Sequence, residues 1–443
     1  MGRHHLQQRW NGHSCVALAS KGLEGSISPS LGNLTGLLHL NLSHNSLHGS
    51  LPMELLFSRS IIVLDVSFNR LDGALPELQS SGDGFPLQVL NISTNLFAGQ
   101  FPSKQWEVMK NMVALNASNN SFTGQIPSSI CVNAPSFVIL DICFNQFSGN
   151  IPPGLGNCSK LRELKAGYNN FSGALPEEFF SATSLEHLSL PNNDLQGVLD
   201  GSHIVKLTNL AVLDLGLTGL TGNIPYSIGQ LSKLEELRLD NNNMTGELPS
   251  GLGNLTNLRI GNLKSLSFIS IAGNHFTNIT NALQILKSCK NLTSLLIGTN
   301  FNGEIMPQDE RIDGFEDLKV LSMDSCGLVG QIPPWISKLS KLEVLDLSNN
   351  TLSGQIPLWI SDLHLLFYLD ISNNSLSGDI PAALMNMPML QSRKNAAQLD
   401  PKLLEMPVYS TPSRQYRQLN AFPNSLNLGS NKFTGAIPPE LVS

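Results

Sequence analysis

Leu342-Glu343-Val344-Leu345-Asp346-Leu347-Ser348-Asn349-Asn350-Thr351-Leu352-Ser353-Gly354-Gln355-Ile356-Pro357 is the stretch that decides the fold. Side chains alternate along a strand, so Leu345 and Leu347 turn inward while Asp346 and Ser348 face solvent. Asn350 falls where such a strand turns. A buried amide there must donate to and accept from backbone groups of adjoining coils, as buried polar groups require. Gly354 permits tight backbone packing, and Ile356-Pro357 opens an extended segment on the flank. With the residue that in most coils stands four places before a glycine as anchor, the unit recurs at 45, 69, 95, 120, 145, 169, 193, 218, 242, 274, 300, 326, 350, 374 and 431. Thirteen of these fifteen anchors are Asn; Thr218 and Cys326 are the exceptions. Most steps are 24 to 26 residues. Self-similarity at this period predicts stacked coils, each burying its leucines only against its neighbours. Parallel strands stack about 4.8 Å apart, so the coils predict a wall about 70 Å long.

The 443 residues are 41% hydrophobic and 14% charged, apolar enough to bury a core and too poor in charge for a disordered chain. A net charge of -7 and no Lys/Arg-dense stripe argue against a nucleic-acid surface. No stretch reaches the roughly 18 to 20 apolar residues that cross a bilayer, and Met1 to Trp10 has no apolar run of a signal peptide. The opening Trp10-Asn11-Gly12-His13-Ser14-Cys15 reads as the tail of a cap whose first half is missing, so the chain is expected to be truncated at its start. Thirteen N-x-S/T sequons point to a glycosylated secreted surface, with Asn33, Asn91, Asn116, Asn157, Asn254, Asn278 and Asn291 the expected acceptors. The six cysteines show no CxxC pair and no His at zinc-ligand spacing; Cys326, in an anchor position, reads as a buried thiol. No metal or cofactor is expected. Phosphate-loop, kinase, HExxH and GxSxG motifs are absent from the sequence, so no enzyme activity is expected either.

The extended unit LxxLxLxxNxLxGxIPxxLGNL resembles the plant-specific class of leucine-rich repeats found in receptor kinases, receptor-like proteins and polygalacturonase inhibitors. The resemblance covers almost the whole chain. It implies an α/β repeat solenoid, a plant-type leucine-rich-repeat horseshoe with a parallel β-sheet on the concave face and an island insertion. The organisation expected is a cap remnant at 1–20, repeats over 21–390, an island at 391–421 and a resumed, incomplete repeat at 422–443. Two steps break the period. From Asn242 to Asn274 the step is 32, and a duplicated coil end, LGNLTNLR then IGNLKSLSF, suggests a missing segment near 259–260. From Asn374 to Asn431 it is 57, one repeat of about 24 plus an insertion of about 33 residues.

The insertion carries Arg393, Lys394, Lys402, Arg414 and Arg417 against Asp400 and Glu405, a net +3 in a chain of -7. A single long insertion in a solenoid often binds. An island near the end, followed by Phe422-Pro423-Asn424-Ser425-Leu426-Asn427-Leu428, resembles the receptors for tyrosine-sulfated peptides, the phytosulfokine receptor group. That resemblance implies a secreted sulfated peptide lying between island and inner strands, recruitment of a somatic-embryogenesis-type co-receptor kinase, and a plasma-membrane parent with an extracellular repeat domain. Candidate ligand-binding residues are Ser322, Asp324, Ser325, Asp346, Ser348, Asp370 and Ser372 on the strands, with Arg414, Tyr416 and Arg417 in the island. Ser hydroxyls and island cations are expected to donate to sulfate oxygens. Arg238 and Lys165, cations on earlier strands, read as solvated surface residues. A kinase-less receptor-like protein or a polygalacturonase-inhibitor-like protein is the alternative; such inhibitors lack an island.

Overall fold

Each coil of the chain places its leucines as the repeat demands. In the coil of Asn350, Leu342, Leu345 and Leu347 are fully buried and the strand is Val344–Asp346. Burying each such side chain contributes about 1.5–3 kcal/mol, which only neighbouring coils supply. The computed structural model describes residues 14–77, 84–102, 110–255, 265–309, 312–387, 390, 408–411, 414–416 and 425–436. The chain divides into two compact units, residues 1–197 with 202–219, and 198–201 with 220–443.

In the first unit the described strands Ser14–Ala17, Leu37–Asn41, Val63–Asp65, Val89–Asn91, Ala114–Asn116, Ile139–Asp141, Glu163–Lys165, His187–Ser189 and Val212–Asp214 form one ladder in that order. In the second the order is Glu236–Arg238, Phe268–Ser270, Ser294–Leu296, Val320–Ser322, Val344–Asp346, Tyr368–Asp370 and Ser425–Asn427. Pairing is parallel and in register, coil on coil. This is a leucine-rich-repeat solenoid architecture.

The anchor amides form the expected ladder. Asn350 donates through Nδ2 to the carbonyls of Met323 (2.9 Å), Leu347 (3.0 Å) and Ser348 (3.2 Å), and its Oδ1 accepts from the N–H groups of Cys326 (3.1 Å) and Leu328 (2.9 Å). At Cys326 a buried thiol stands in for the amide, and burial pushes its pKa up to about 12. Gly354 has φ of +83° and a Cβ there would lie 3.2 Å from Gln331, so the repeat glycine serves both conformation and packing.

A feature absent from the sequence reading is a second set of strands on the flank, one after most anchors. Thr351–Gly354 pairs with Ser375–Asp379, Ser353 opposite Ser375, and Ser375–Asp379 pairs with Lys432–Thr434. The third side is mostly short 3-10 turns such as Pro153–Asn157, whereas Ile279–Leu286 is an eight-residue α-helix. Neither period break interrupts the strand ladder. Phe268 pairs with Glu236 and Ser425 with Tyr368, so each break is extra chain within one coil. The junction at 259–260 lies outside the described residues, as do most of 391–421. Within the insertion, Val408–Thr411 pairs antiparallel with Arg414–Tyr416.

Candidate functional site

On the second unit the outward positions of successive strands form two rows. One runs Phe268, Ser294, Val320, Val344, Tyr368, Ser425; the other runs Ser270, Leu296, Ser322, Asp346, Asp370, Asn427. Outward positions on most strands of the first unit are half-buried. Over Phe268–Ser270, Ser294–Leu296 and Val320–Ser322 every residue is buried. Phe268, Leu296, Val320 and Val344 form an apolar cluster, with Phe367 and Tyr368 packed against it. The hydroxyls of Ser270 and Ser294 are buried there without a hydrogen-bond partner among the described residues.

Arg238 is 8% exposed, which corrects its reading as a solvated cation: its guanidinium lies 4.1 Å above the Phe268 ring and 3.5 Å from Glu236. An aromatic face attracts a partly desolvated cation, and the next strand supplies one. Lys165, in the first unit, is half-buried and bound to Glu163 at 3.0 Å.

The seven strand candidates lie together at the other end of the apolar cluster. Asp346 accepts from the Ser348 N–H (3.0 Å) and Oγ (2.7 Å), Asp370 from the Ser372 N–H (2.9 Å) and Oγ (2.6 Å), and Asp324 from Ser322 Oγ (2.6 Å). Asn427 donates to Asp370 Oδ2 at 2.9 Å. Ser325 is exposed, its backbone in the left-handed region at φ 56°. The hydroxyls of Ser322, Ser348 and Ser372 are therefore committed to carboxylates, and this end of the face is acidic. Burial raises the Asp346 carboxyl to about 6, helped by the charges of Asp324 and Asp370 against the bonds from Ser348. Burial, then the Asp346 and Asp370 carboxylates, push the Tyr368 phenol above its ordinary range.

Arg414 and Tyr416 fall on the second strand of the hairpin; Arg417 lies outside the described residues. The expected glycan acceptors separate by place. Asn33, Asn157 and Asn254 are exposed at the ends of 3-10 turns, Asn91 and Asn116 end strands, Asn278 caps the helix Ile279–Leu286, and Asn291 is exposed. A disulfide joins Cys131 to Cys158, a pairing the sequence reading did not foresee. Among the described residues no helix is long and apolar enough to cross a membrane, and no group of three His, Cys, Asp or Glu could hold a metal ion.

Residues 316–376, and separately 36–57, 111–133, 136–158 and 233–255, match the leucine rich repeat family. The chain thus carries leucine-rich repeats over these segments. More particularly, it is homologous to receptor-like proteins and phytosulfokine receptors of Arabidopsis thaliana. It is 43% identical to "Receptor-like protein 3" over 244 residues, 53% of this chain and 31% of that protein. It is 44% identical to "Phytosulfokine receptor 1" over 81 residues, 18% of this chain and 8% of that protein. The chain therefore spans less than a third of either relative. Among solved structures it is similar to the Arabidopsis receptor kinase HAESA in complex with the peptide hormone IDA and the co-receptor SERK1, with a TM-score of 0.63, 28% identity, and coverage of 95% of this chain and 58% of that one.

Proposed function

We propose that this chain is the extracellular ligand-binding region of a plant cell-surface receptor that recognises a small secreted peptide and couples to a co-receptor kinase. The observation that carries the reading is the second unit's strand face, where an apolar cluster borders Asp324, Asp346 and Asp370 on the coils that flank the basic insertion. Likeness to a peptide-hormone receptor complex supports it. A tyrosine-sulfated peptide is the ligand class we favour, on the insertion's +3 charge and the kinship with phytosulfokine receptors. Because Ser322, Ser348 and Ser372 already donate to aspartates, the sulfate donors fall to Arg414 and Arg417, and the acidic strand positions face the peptide's positive groups. The plasma membrane, extracellular side, is the proposed location of the parent protein.

A kinase-less receptor-like parent is the second reading, favoured by a match to Receptor-like protein 3 that is three times as long as that to Phytosulfokine receptor 1. Both readings share the binding face. Calorimetry of the secreted chain with a short peptide in sulfated and unsulfated forms tests the ligand class. The sulfated form is expected to bind at least several-fold more tightly; equal affinities would remove the sulfate assignment.

A further inference from the structure

Three sequons lie on the strand face rather than beside it: Asn41-Leu42-Ser43, Asn91-Ile92-Ser93 and Asn116-Ala117-Ser118. Each Asn ends a strand and is half-buried. Its Oδ1 accepts from the N–H of the Ser two residues on, at 2.9, 3.2 and 3.0 Å, and from that Ser's Oγ, at 2.8, 2.8 and 2.7 Å. Its Nδ2 donates to no described residue. Some other sequon asparagines use that nitrogen: Asn278 donates to Glu247 (3.1 Å), Asn349 to Ser348 (3.3 Å) and Asn373 to Asn349 (2.7 Å).

The turn itself asks only for the acceptor oxygen. Asp65, in register between Asn41 and Asn91, holds Ser67 by the same two bonds, at 3.0 and 2.6 Å. An amide nitrogen at 41, 91 and 116 is therefore surplus to the fold, on a side chain that is only half-buried. The Cys131–Cys158 disulfide of the same unit belongs to an oxidising compartment, the route on which N-glycans are added.

We propose that the strand face of the first unit is N-glycosylated, at Asn41 and at one of the neighbours Asn91 and Asn116, and is thereby closed to macromolecular partners. In the transfer, Nδ2 loses a proton and bonds to the anomeric carbon of a lipid-pyrophosphate-linked oligosaccharide. The anomeric carbon–oxygen bond breaks and the lipid pyrophosphate leaves. Both bonds from the serine survive, because they end on Oδ1. Asn91 and Asn116 pair directly across adjoining strands, about 4.8 Å apart, too close for two saccharide chains.

The test is occupancy mapping on the chain secreted from a plant or insect host, with glycans released by peptide N-glycosidase in heavy-oxygen water so that each carrier asparagine becomes a labelled aspartate. Label on Asn41 in most molecules, and about one label per molecule shared between Asn91 and Asn116, is the expected result. Substituting Asn41→Asp, Asn91→Asp and Asn116→Asp together keeps the serine bonds, as Asp65 does, and should lower the intact mass by two oligosaccharide chains. An unlabelled Asn41, an unlabelled Asn91/Asn116 pair, or both of that pair labelled in the same molecules would overturn the proposal.

Discussion

Asp346 has carboxylates on both sides, Asp324 from the preceding coil and Asp370 from the next, and burial keeps water from screening them. Its folded pKa near 6 stands above the ordinary 3.8, so the folded chain holds this proton more tightly than the unfolded chain does. The stabilisation is complete below about pH 4 and is lost as pH rises through 6, leaving a penalty above it. Asn41, Asn91 and Asn116 occupy the same strand position and accept the same serine bonds, so Asp346→Asn keeps the turn. The variant should be more stable than the parent chain by about 1–2 kcal/mol at pH 7.5 and little different at pH 4, as read across that range by urea melts of chains produced without N-glycans, since the substitution creates an N-x-S sequon. A variant no more stable at pH 7.5 would show that the column is better solvated than its burial implies. At this scale the sequence was partly legible. The outward direction of Asp346 and Ser348 follows from strand alternation, but that the serine answers its own aspartate depends on turn geometry. Arg238 likewise points outward as expected, yet its burial depends on Phe268, 30 residues away in sequence and adjacent only after stacking.

The coil is the element, and its anchor amide holds two neighbours at once. Removing Asn350 orphans the buried N–H groups of Cys326 and Leu328, so Asn350→Ala should cost about 2–4 kcal/mol, whereas Ser353→Ala on the exposed flank should cost little. Denaturant melts of the two variants side by side make the comparison; equal losses would contradict the anchor's role. The Cys131–Cys158 bridge spans 27 residues between adjacent coils, and replacing both cysteines with alanine should cost about 2–4 kcal/mol of thermal stability in the first unit. Unchanged melting of the double variant would show the pair to be reduced. The anchors and strand order were legible because a fixed period maps sequence directly onto stacking. The flank strands were not, since the segment after each anchor is too short to read as a strand by itself and is paired only through its neighbours. The bridge was not, since Cys131 and Cys158 occupy different repeat positions, one in Ile130–Asn133 and one just after Asn157.

For the whole molecule, function rests on where the repeat changes character. In the first unit most outward positions are half-buried, with apolar residues such as Val63, Val89 and Ile139 in one row and polar ones such as Asp65, Asn91 and Asp141 in the other; in the second they become fully buried over three strands and then acidic at Asp346 and Asp370. If the insertion supplies the anion donors, Arg414→Ala and Arg417→Ala should each weaken binding of a sulfated peptide by about 1.5–3 kcal/mol, while Lys165→Ala should leave it unchanged in calorimetry. An equal loss from Lys165→Ala would move the site to the first unit. The insertion's basic character was legible from composition, and the apolar cluster was not, because Phe268, Leu296, Val320 and Val344 come from four coils and meet only in the stacked sheet. Hydrogen–deuterium exchange of the secreted chain with and without a short tyrosine-sulfated peptide tests the central claim most directly. Slowed exchange in Val320–Ser322, Val344–Asp346, Tyr368–Asp370 and the Val408–Tyr416 hairpin is the predicted footprint. Protection confined to the strands of the first unit, from a peptide that binds, would contradict it.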